Sequence, residues 1–141
     1  MRAKILIPIL FLLFLYGCAY IKPSLPPPQM SELERLRSDF PVFPGTTKIP
    51  NDFRVAAPNT ASLSLDFKSN TDFGGVESFY KERLKAEGWQ LIEERQLSDW
   101  GRDLGKKELL FRKGEYEIAI EKAGSNNQDW DFAVNFSWKK R

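Results

Sequence analysis

The strongest constraint on the fold is a strict alternation of apolar and polar side chains from Trp130 to Trp138. Five large apolar residues occupy every second position, namely Trp130, Phe132, Val134, Phe136 and Trp138. Successive side chains of a strand point to opposite faces, so this period of two predicts a β-strand with one apolar face. Such a face has to be covered by another layer, so this strand is expected to belong to a sheet with one face packed against other elements.

A second alternating segment, residues 61–68, is followed by a predicted helix. The alternating apolar positions of this strand are Ala61, Leu63, Leu65 and Phe67. Asp72 is placed to cap the helix, whose apolar stripe consists of Val76, Phe79, Tyr80 and Leu84. Gly88 suits the left-handed residue that closes a helix, and Trp89 is placed to pack back on Leu84.

Three further strands are predicted at residues 89–96, 107–112 and 115–122, with a tight turn at Lys113-Gly114. Residues 97–105 and 123–129 are expected to be loops. We therefore expect residues 41–141 to form one α+β domain of order β-α-β-β-β-β, with an antiparallel sheet of about five strands and one long helix packed on one face. The simplest antiparallel order is second-third-fourth-fifth-first, which leaves other orders open. Residues 41–59 are expected to be mostly irregular.

The segment before this domain is rich in proline. Four prolines fall within residues 20–30, a composition that favours the extended polyproline form over helix or strand. A short helix is predicted to follow, because Ser31 and Glu34 have capping-box spacing and Leu33 and Leu36 share a face. Residues 18–40 are therefore predicted to be a spacer with a short helix.

Residues 1–17 have the layout of an export signal. Arg2 and Lys4 precede an apolar run from Ile5 to Tyr16, which is too short for the roughly 20 residues that span a membrane. The run ends in Leu15-Tyr16-Gly17-Cys18, which resembles the lipobox of bacterial lipoproteins. Leu15, Gly17 and Cys18 match that pattern, and Tyr16 departs from it. An ordinary signal peptide with an incidental cysteine is the alternative.

The resemblance implies that Cys18 becomes acylated and N-terminal after cleavage. Two or more acyl chains, palmitate among them, hold a protein stably on a membrane where one chain does not. By the rule of this family, Ala19 implies the periplasmic face of the outer membrane if the host has two membranes. We therefore expect a lipid-anchored protein of the cell envelope.

The domain itself resembles a second family. Phe43-Pro44-Gly45, the strand ending Phe67-Lys68-Ser69 and the pattern V-x-x-F-Y-x-x-x-L-x-x-x-G-W from Val76 to Trp89 are similar to a recurrent, largely uncharacterised domain of exported bacterial proteins. The similarity covers roughly residues 41–138. It implies an α+β fold and an exported location but no activity. The architecture is also analogous to the helix-grip modules of an outer-membrane assembly lipoprotein.

Composition excludes several chemistries. The chain has no histidine and its one cysteine is Cys18, so Ser-His and Cys-His catalysis and zinc binding by soft ligands lack their residues. Loss of residues 1–17 removes Arg2 and Lys4 and leaves 19 basic and 19 acidic side chains. A balanced charge gives no general attraction for nucleic acid. We expect no cofactor and no metal site.

The remaining candidates lie in polar segments. Asp99 and Asp103 flank Trp100 and Arg102, which would suit paired acids beside an aromatic platform in a glycan hydrolase. A polar hairpin loop with one anchoring tryptophan is the simpler interpretation, and Trp100 and Arg102 then form a candidate contact surface. Residues 125–129 lack the spacing of a calcium loop and indicate a turn.

The sequence thus favours a non-enzymatic envelope lipoprotein whose domain binds another envelope protein. The alternative is a domain that binds a small ligand or a cell-wall glycan, in a groove between helix and sheet or at the Trp100 loop. Glu115, Glu117 and Glu121 are expected to pair with basic side chains of the neighbouring strand on the polar face of the sheet.

Overall fold

The computed structural model describes residues 28–99 and 102–141, with the side chains of Asp99 and Arg102 excepted. It is α+β, with an open antiparallel sheet of seven strands and two helices. The elements in chain order are α1 (Pro28–Asp39), β1 (Thr46–Ile49), β2 (Arg54–Ala57), β3 (Thr60–Ser69), α2 (Phe73–Ala86), β4 (Gln90–Asp99), β5 (Arg102–Lys113), β6 (Tyr116–Lys122) and β7 (Phe132–Lys139). The predicted signal peptide, Cys18 and Trp100 lie outside the described residues.

The strand order is β1-β3-β7-β6-β5-β4, and β2 also pairs with β3. The five predicted strands therefore occur in the simplest antiparallel order. Register places their apolar residues on one face, which we call the covered face; across its middle it carries Leu63, Phe136, Ile118 and Phe111. The opposite surface is called the open face; across its middle it carries Ser64, Asn135, Ala119 and Leu110.

The sheet has two strands more than predicted. β1 and β2 lie within residues 41–59, which were expected to be mostly irregular. Each has only four residues, and they pair one after the other with the same edge of β3. Pro50 and Pro58 lie just outside these strands, where the missing N–H of proline costs no ladder hydrogen bond. Strands this short carry too little alternation to be recognised.

The predicted loop at residues 97–105 is wrong as well. β4 and β5 stay paired as far as Asp99 and Arg102, beyond the end of β6 opposite Lys107. A bulge interrupts the pairing between Leu97 and Ser98, and Gly105 takes a φ of +67° within it. Because the bulge interrupts the alternation of side chains along the strands, the sequence of this segment does not show the period of two by which a strand is predicted. The paired segment that extends past β6 is called the arm and comprises residues 97–99 and 102–106.

The last strand begins two residues later than predicted. Asn127 Oδ1 accepts the backbone N–H of Asp129 at 2.8 Å and that of Trp130 at 3.4 Å, which holds Trp130 in the preceding turn. Asp131 Oδ2 accepts the N–H of Ser69 at 2.7 Å. The alternation from Phe132 onward is confirmed as the apolar face of β7.

The ends of α2 confirm the predicted capping. Asp72 accepts the backbone N–H of Gly74 at 3.0 Å. At the other end Gly88 takes a φ of +85°, and the N–H of Trp89 donates to the carbonyl of Leu84 at 2.9 Å. The N–H of Gly88 donates to the carbonyl of Lys85 at 3.1 Å, which completes a Schellman ending.

The short helix before the domain is part of its core. α1 starts at Pro28, earlier than the predicted Ser31, because proline is tolerated in the first turn of a helix. Met30 and Leu33 are buried, and the ring of Phe40 lies 5.0 Å from that of Tyr80 and 5.1 Å from that of Phe136. The packed unit therefore includes residues 28–40, which the predicted boundary at residue 41 assigned to the spacer.

Candidate functional site

One concave feature of the described residues is a groove of about 460 Å³. It is bounded by α1, by the last turn of α2 and by the β5–β6 hairpin. Its apolar floor consists of Leu36, Phe40, Leu84, Trp89 and Ile118. Its polar rim consists of Glu32, Arg35, Asp39, Glu87, Lys113 and Tyr116. The groove lies between the helices and the sheet, as the ligand-binding alternative expects.

The two cations of the groove rim are held by neighbouring groups. The Arg35 guanidinium lies 2.7 Å from Glu32 Oε1 and 3.2 Å from Asp39 Oδ2, and its hydrogen bond lowers the pKa of Glu32. Lys113 Nζ donates to the carbonyl of Glu87 at 2.7 Å. Because both cations already have partners, an anionic ligand would have to displace them. The groove is better suited to an uncharged ligand with an apolar part.

The open face carries a pair of glutamates directly opposite each other, Glu108 on β5 and Glu121 on β6. Arg95 lies 2.7 Å from Glu108 Oε1, and Asn135 Nδ2 donates to Glu121 Oε1 at 2.7 Å. Burial, and next the charge of Glu108, raise the pKa of Glu121 above its ordinary value. At neutral pH the ionised form of Glu121 therefore opposes folding.

The predicted pairing of three glutamates with basic neighbours is confirmed for one. Glu117 lies 2.7 Å from Arg112 Nη2, its cross-strand neighbour. Glu121 faces Glu108 instead, because the register of β5 and β6 brings two acidic residues together. Glu115 lies in the turn before β6 and accepts the indole N–H of Trp138 at 3.2 Å.

Replacing Glu121 with glutamine should raise the free energy of unfolding at pH 7. The glutamine removes a buried charge and its repulsion from Glu108, and its amide oxygen can still accept from Asn135. Because the folded-state pKa of Glu121 is raised, the penalty appears as pH rises through the unfolded value of 4.5 and is complete above the folded value. The gain should therefore vanish in urea titrations below about pH 4.

A matched control for that substitution lies on the same strand. Glu117→Gln weakens ion pairs to Arg112 and Arg141 instead of relieving repulsion. It should lower stability at pH 7 or leave it unchanged, since surface pairs contribute about 0–1 kcal/mol. Equal effects of the two substitutions on the free energy of unfolding would contradict the conclusion that the charge of Glu121 destabilises the fold.

A third polar cluster joins α2 to the outer strands and is called the edge network. Lys107 Nζ lies 2.8 Å from Glu77 Oε2 and 2.6 Å from Glu94 Oε1. Lys81 Nζ lies 2.7 Å from Glu94 Oε2 and also bonds Glu77. Hydrogen bonds from Lys107 and Lys81 lower the pKa of Glu94 to about 2. With two carboxylates and two ammonium groups, the edge network is neutral.

The structure describes only some of the site residues predicted from the sequence. Arg102 is the first residue of β5 and pairs with Asp99, while Trp100 lies outside the described residues. Asp103 Oδ1 accepts from Gln96 Nε2 at 3.0 Å and from the N–H of Gly105 at 2.7 Å, and these bonds lower the pKa of Asp103. Its carboxylate thus stabilises the bulge of the arm.

Sequence reasoning missed the composition of the groove rim. Glu32, Arg35 and Asp39 lie on α1, which was assigned to the spacer. The i, i+3 and i+4 spacing of these charged residues was the available signal. Within residues 28–99 and 102–141, no three His, Cys, Asp or Glu side chains are placed to hold a metal ion.

Comparison with known proteins adds no relative. A scan against protein-family models found no match, and searches of curated proteins and of solved structures also found none. Neither helix in the described part of the chain has the length and apolar character needed to cross a membrane.

Proposed function

We propose that this chain is a lipid-anchored protein of the cell envelope whose domain is a non-enzymatic protein-interaction module. The export-signal layout of residues 1–17 and the lipobox-like sequence ending at Cys18 support the anchor. Ala19 favours the outer membrane in a host with two membranes. The absence of histidine and of a second cysteine from the sequence supports a binding role over nucleophilic catalysis.

The observation that carries the proposal is the entry of α1 into the hydrophobic core at Met30. Only nine residues, 19–27, then separate Cys18 from the first residue of α1. At about 3.1 Å per residue in the polyproline form, they span at most about 30 Å. Acylation of Cys18 would thus hold a packed domain close to the lipid surface, where it meets other envelope proteins.

The arm offers a contact surface for such a partner. It extends past the end of β6, and the predicted contact residue Arg102 begins its second strand. The other predicted contact residue, Trp100, lies in the sequence between its two strands. Aromatic and arginine side chains are enriched at protein interfaces. The partner is expected to be another protein of the same envelope.

Substitution of Cys18 with alanine tests the anchor. Incorporation of labelled palmitate should be lost, and the chain should leave the membrane fraction, because no other thiol can take the lipid. Tyr16→Ala serves as a control, since it keeps the cysteine and moves the sequence closer to the lipobox pattern. Palmitate labelling that survives Cys18→Ala would overturn the proposal.

A second candidate function, binding of an uncharged small ligand or a cell-wall glycan, is favoured by the groove. Its volume of about 460 Å³ lies within the range of small-molecule sites, and its floor is apolar with polar groups at the rim. Co-sedimentation with purified peptidoglycan separates the two functions. Binding that Trp100→Ala abolishes would favour the glycan at the arm, and binding that survives this change would favour the groove.

A further inference from the structure

β4 forms an open edge of the sheet. Among the described strands it pairs with β5 alone, and residues 90–96 are exposed. An edge strand presents unpaired N–H and C=O groups that another strand can bind. The middle of β4 carries Glu93, Glu94 and Arg95, and charged side chains on an edge strand disfavour its pairing with an arbitrary strand.

We propose that β4 pairs antiparallel with β4 of a second copy of this chain, with Glu94 at the two-fold axis. In this register Glu93 faces Arg95 of the second copy, and Arg95 faces its Glu93. Ile92, one of the exposed large apolar residues, is a bulge residue without a partner on β5, and in this register it lies opposite Gln96. Opposite charges directly across two strands stabilise their pairing. Glu93 and Arg95 therefore favour pairing with β4 of a second copy, although they disfavour pairing with other strands.

The two Glu94 side chains meet at the two-fold axis. The edge network explains why two carboxylates can lie close together there. Each Glu94 is bonded to Lys81 and Lys107 of its own chain, so two neutral networks meet there. Neighbouring registers lose the Glu93–Arg95 pairs. A pairing centred on Glu93 would place two glutamates opposite each other, each 3.8 Å from Arg95 of its own strand. A pairing centred on Arg95 would place two guanidinium groups opposite each other, each 2.7 Å from Glu108 of its own chain, and would leave Glu93 opposite Leu97.

The size of the contact sets the conditions for observing it. Five paired residues bury less than the roughly 1,000 Å² typical of a stable interface, so the pair should be weak in dilute solution. Confinement of both copies to one membrane raises their effective concentration. The test therefore uses the full chain in membranes of expressing cells. The geometry of the pairing itself involves only β4 and not the anchor.

Disulfide formation under a mild oxidant tests the register. In Glu94→Cys the two new cysteines face each other with Cα atoms about 4.5–5.5 Å apart, which suits a disulfide. In the control Gln96→Cys the equivalent atoms lie about 13 Å apart along the strands, which is too far. We expect a dimer band with Glu94→Cys and at least tenfold less with Gln96→Cys. Equal bands, or none, would overturn the proposal.

A second set of variants keeps the edge network intact. A chain with Glu93→Cys and a second chain with Arg95→Cys, carrying different tags, should form a mixed disulfide when they are expressed together. Each variant expressed alone should give less disulfide-linked dimer. Glu93→Arg added to Glu94→Cys should abolish the dimer band, because arginines then face each other. Urea titration checks that every variant folds, and loss of the mixed disulfide between folded chains would equally contradict the register.

The parent chain separates this proposal from the proposed function. Its only thiol is Cys18, so it should give no dimer band if that residue is acylated. A dimer band from the parent chain would contradict acylation of Cys18, and the β4 register would then be read from the dimer that Glu94→Cys forms in excess of the parent chain and of Gln96→Cys.

Discussion

Replacement of Phe40 with alanine should lower the free energy of unfolding by about 3–5 kcal/mol. Phe40 is buried and follows directly after α1. Its ring stacks on Tyr80 of α2 and meets Phe136 of β7 edge-on, so it joins three parts of the core. Removal of the ring leaves a cavity and breaks two aromatic contacts, each worth about 0.5–1.5 kcal/mol beyond burial. Equilibrium urea unfolding measures the change.

The matched control is Phe53→Ala. Phe53 is 53% exposed, so the same substitution removes little buried surface there. Its effect should stay within about 0.5 kcal/mol. A loss at Phe40 no larger than at Phe53 would contradict the placement of α1 in the core.

A chain that begins at residue 41 should not fold, whereas one that begins at residue 28 should unfold cooperatively. Loss of α1 and Phe40 removes three large buried apolar side chains, Met30, Leu33 and Phe40. Each contributes about 1.5–3 kcal/mol through burial, and together they approach the 5–15 kcal/mol by which a whole domain is stable. The loss also exposes apolar surface of β3 and β7, on which α1 packs.

The measurement is the urea transition of the two chains, followed by tryptophan fluorescence and by far-UV circular dichroism. Coincident transitions by both probes are expected for the chain starting at residue 28. The chain starting at residue 41 should show no cooperative transition. A sharp transition of similar midpoint in the shorter chain would show that α1 is an accessory to the domain.

The sequence indicated the fold class because the apolar side chains of β3 and β7 repeat with a clean period and the Lys113-Gly114 turn marks the hairpin of β5 and β6. The helix from Phe73 to Ala86 and its Gly88 ending were equally predictable, since each end depends on one or two local residues. β1 and β2 were missed because their pairing with β3 is a property of the assembled sheet. The placement of α1 depended in the same way on contacts far along the chain.

The candidate sites were less predictable than the fold. The groove forms where residues from three elements meet, and residues as distant as Glu32 and Lys113 share its rim. The opposition of Glu108 and Glu121 follows from a register that no local pattern reveals. Predictions for single residues were more accurate where a local hydrogen bond determines the role of the residue, as it does for the helix cap Asp72. Cys18 and Trp100 remain predictions, because they lie outside the described residues.

The two short strands on the outer side of β3 determine how far association through this sheet can go. They share one edge, and residues 50–53 between them form an interruption where no continuous ladder can be added. In a dimer joined through β4, the sheet edge that each copy leaves unpaired is therefore the interrupted edge formed by β1 and β2. Growth by strand addition stops at two molecules, so the protein can use an exposed edge for recognition without the hazard of polymerising into fibrils.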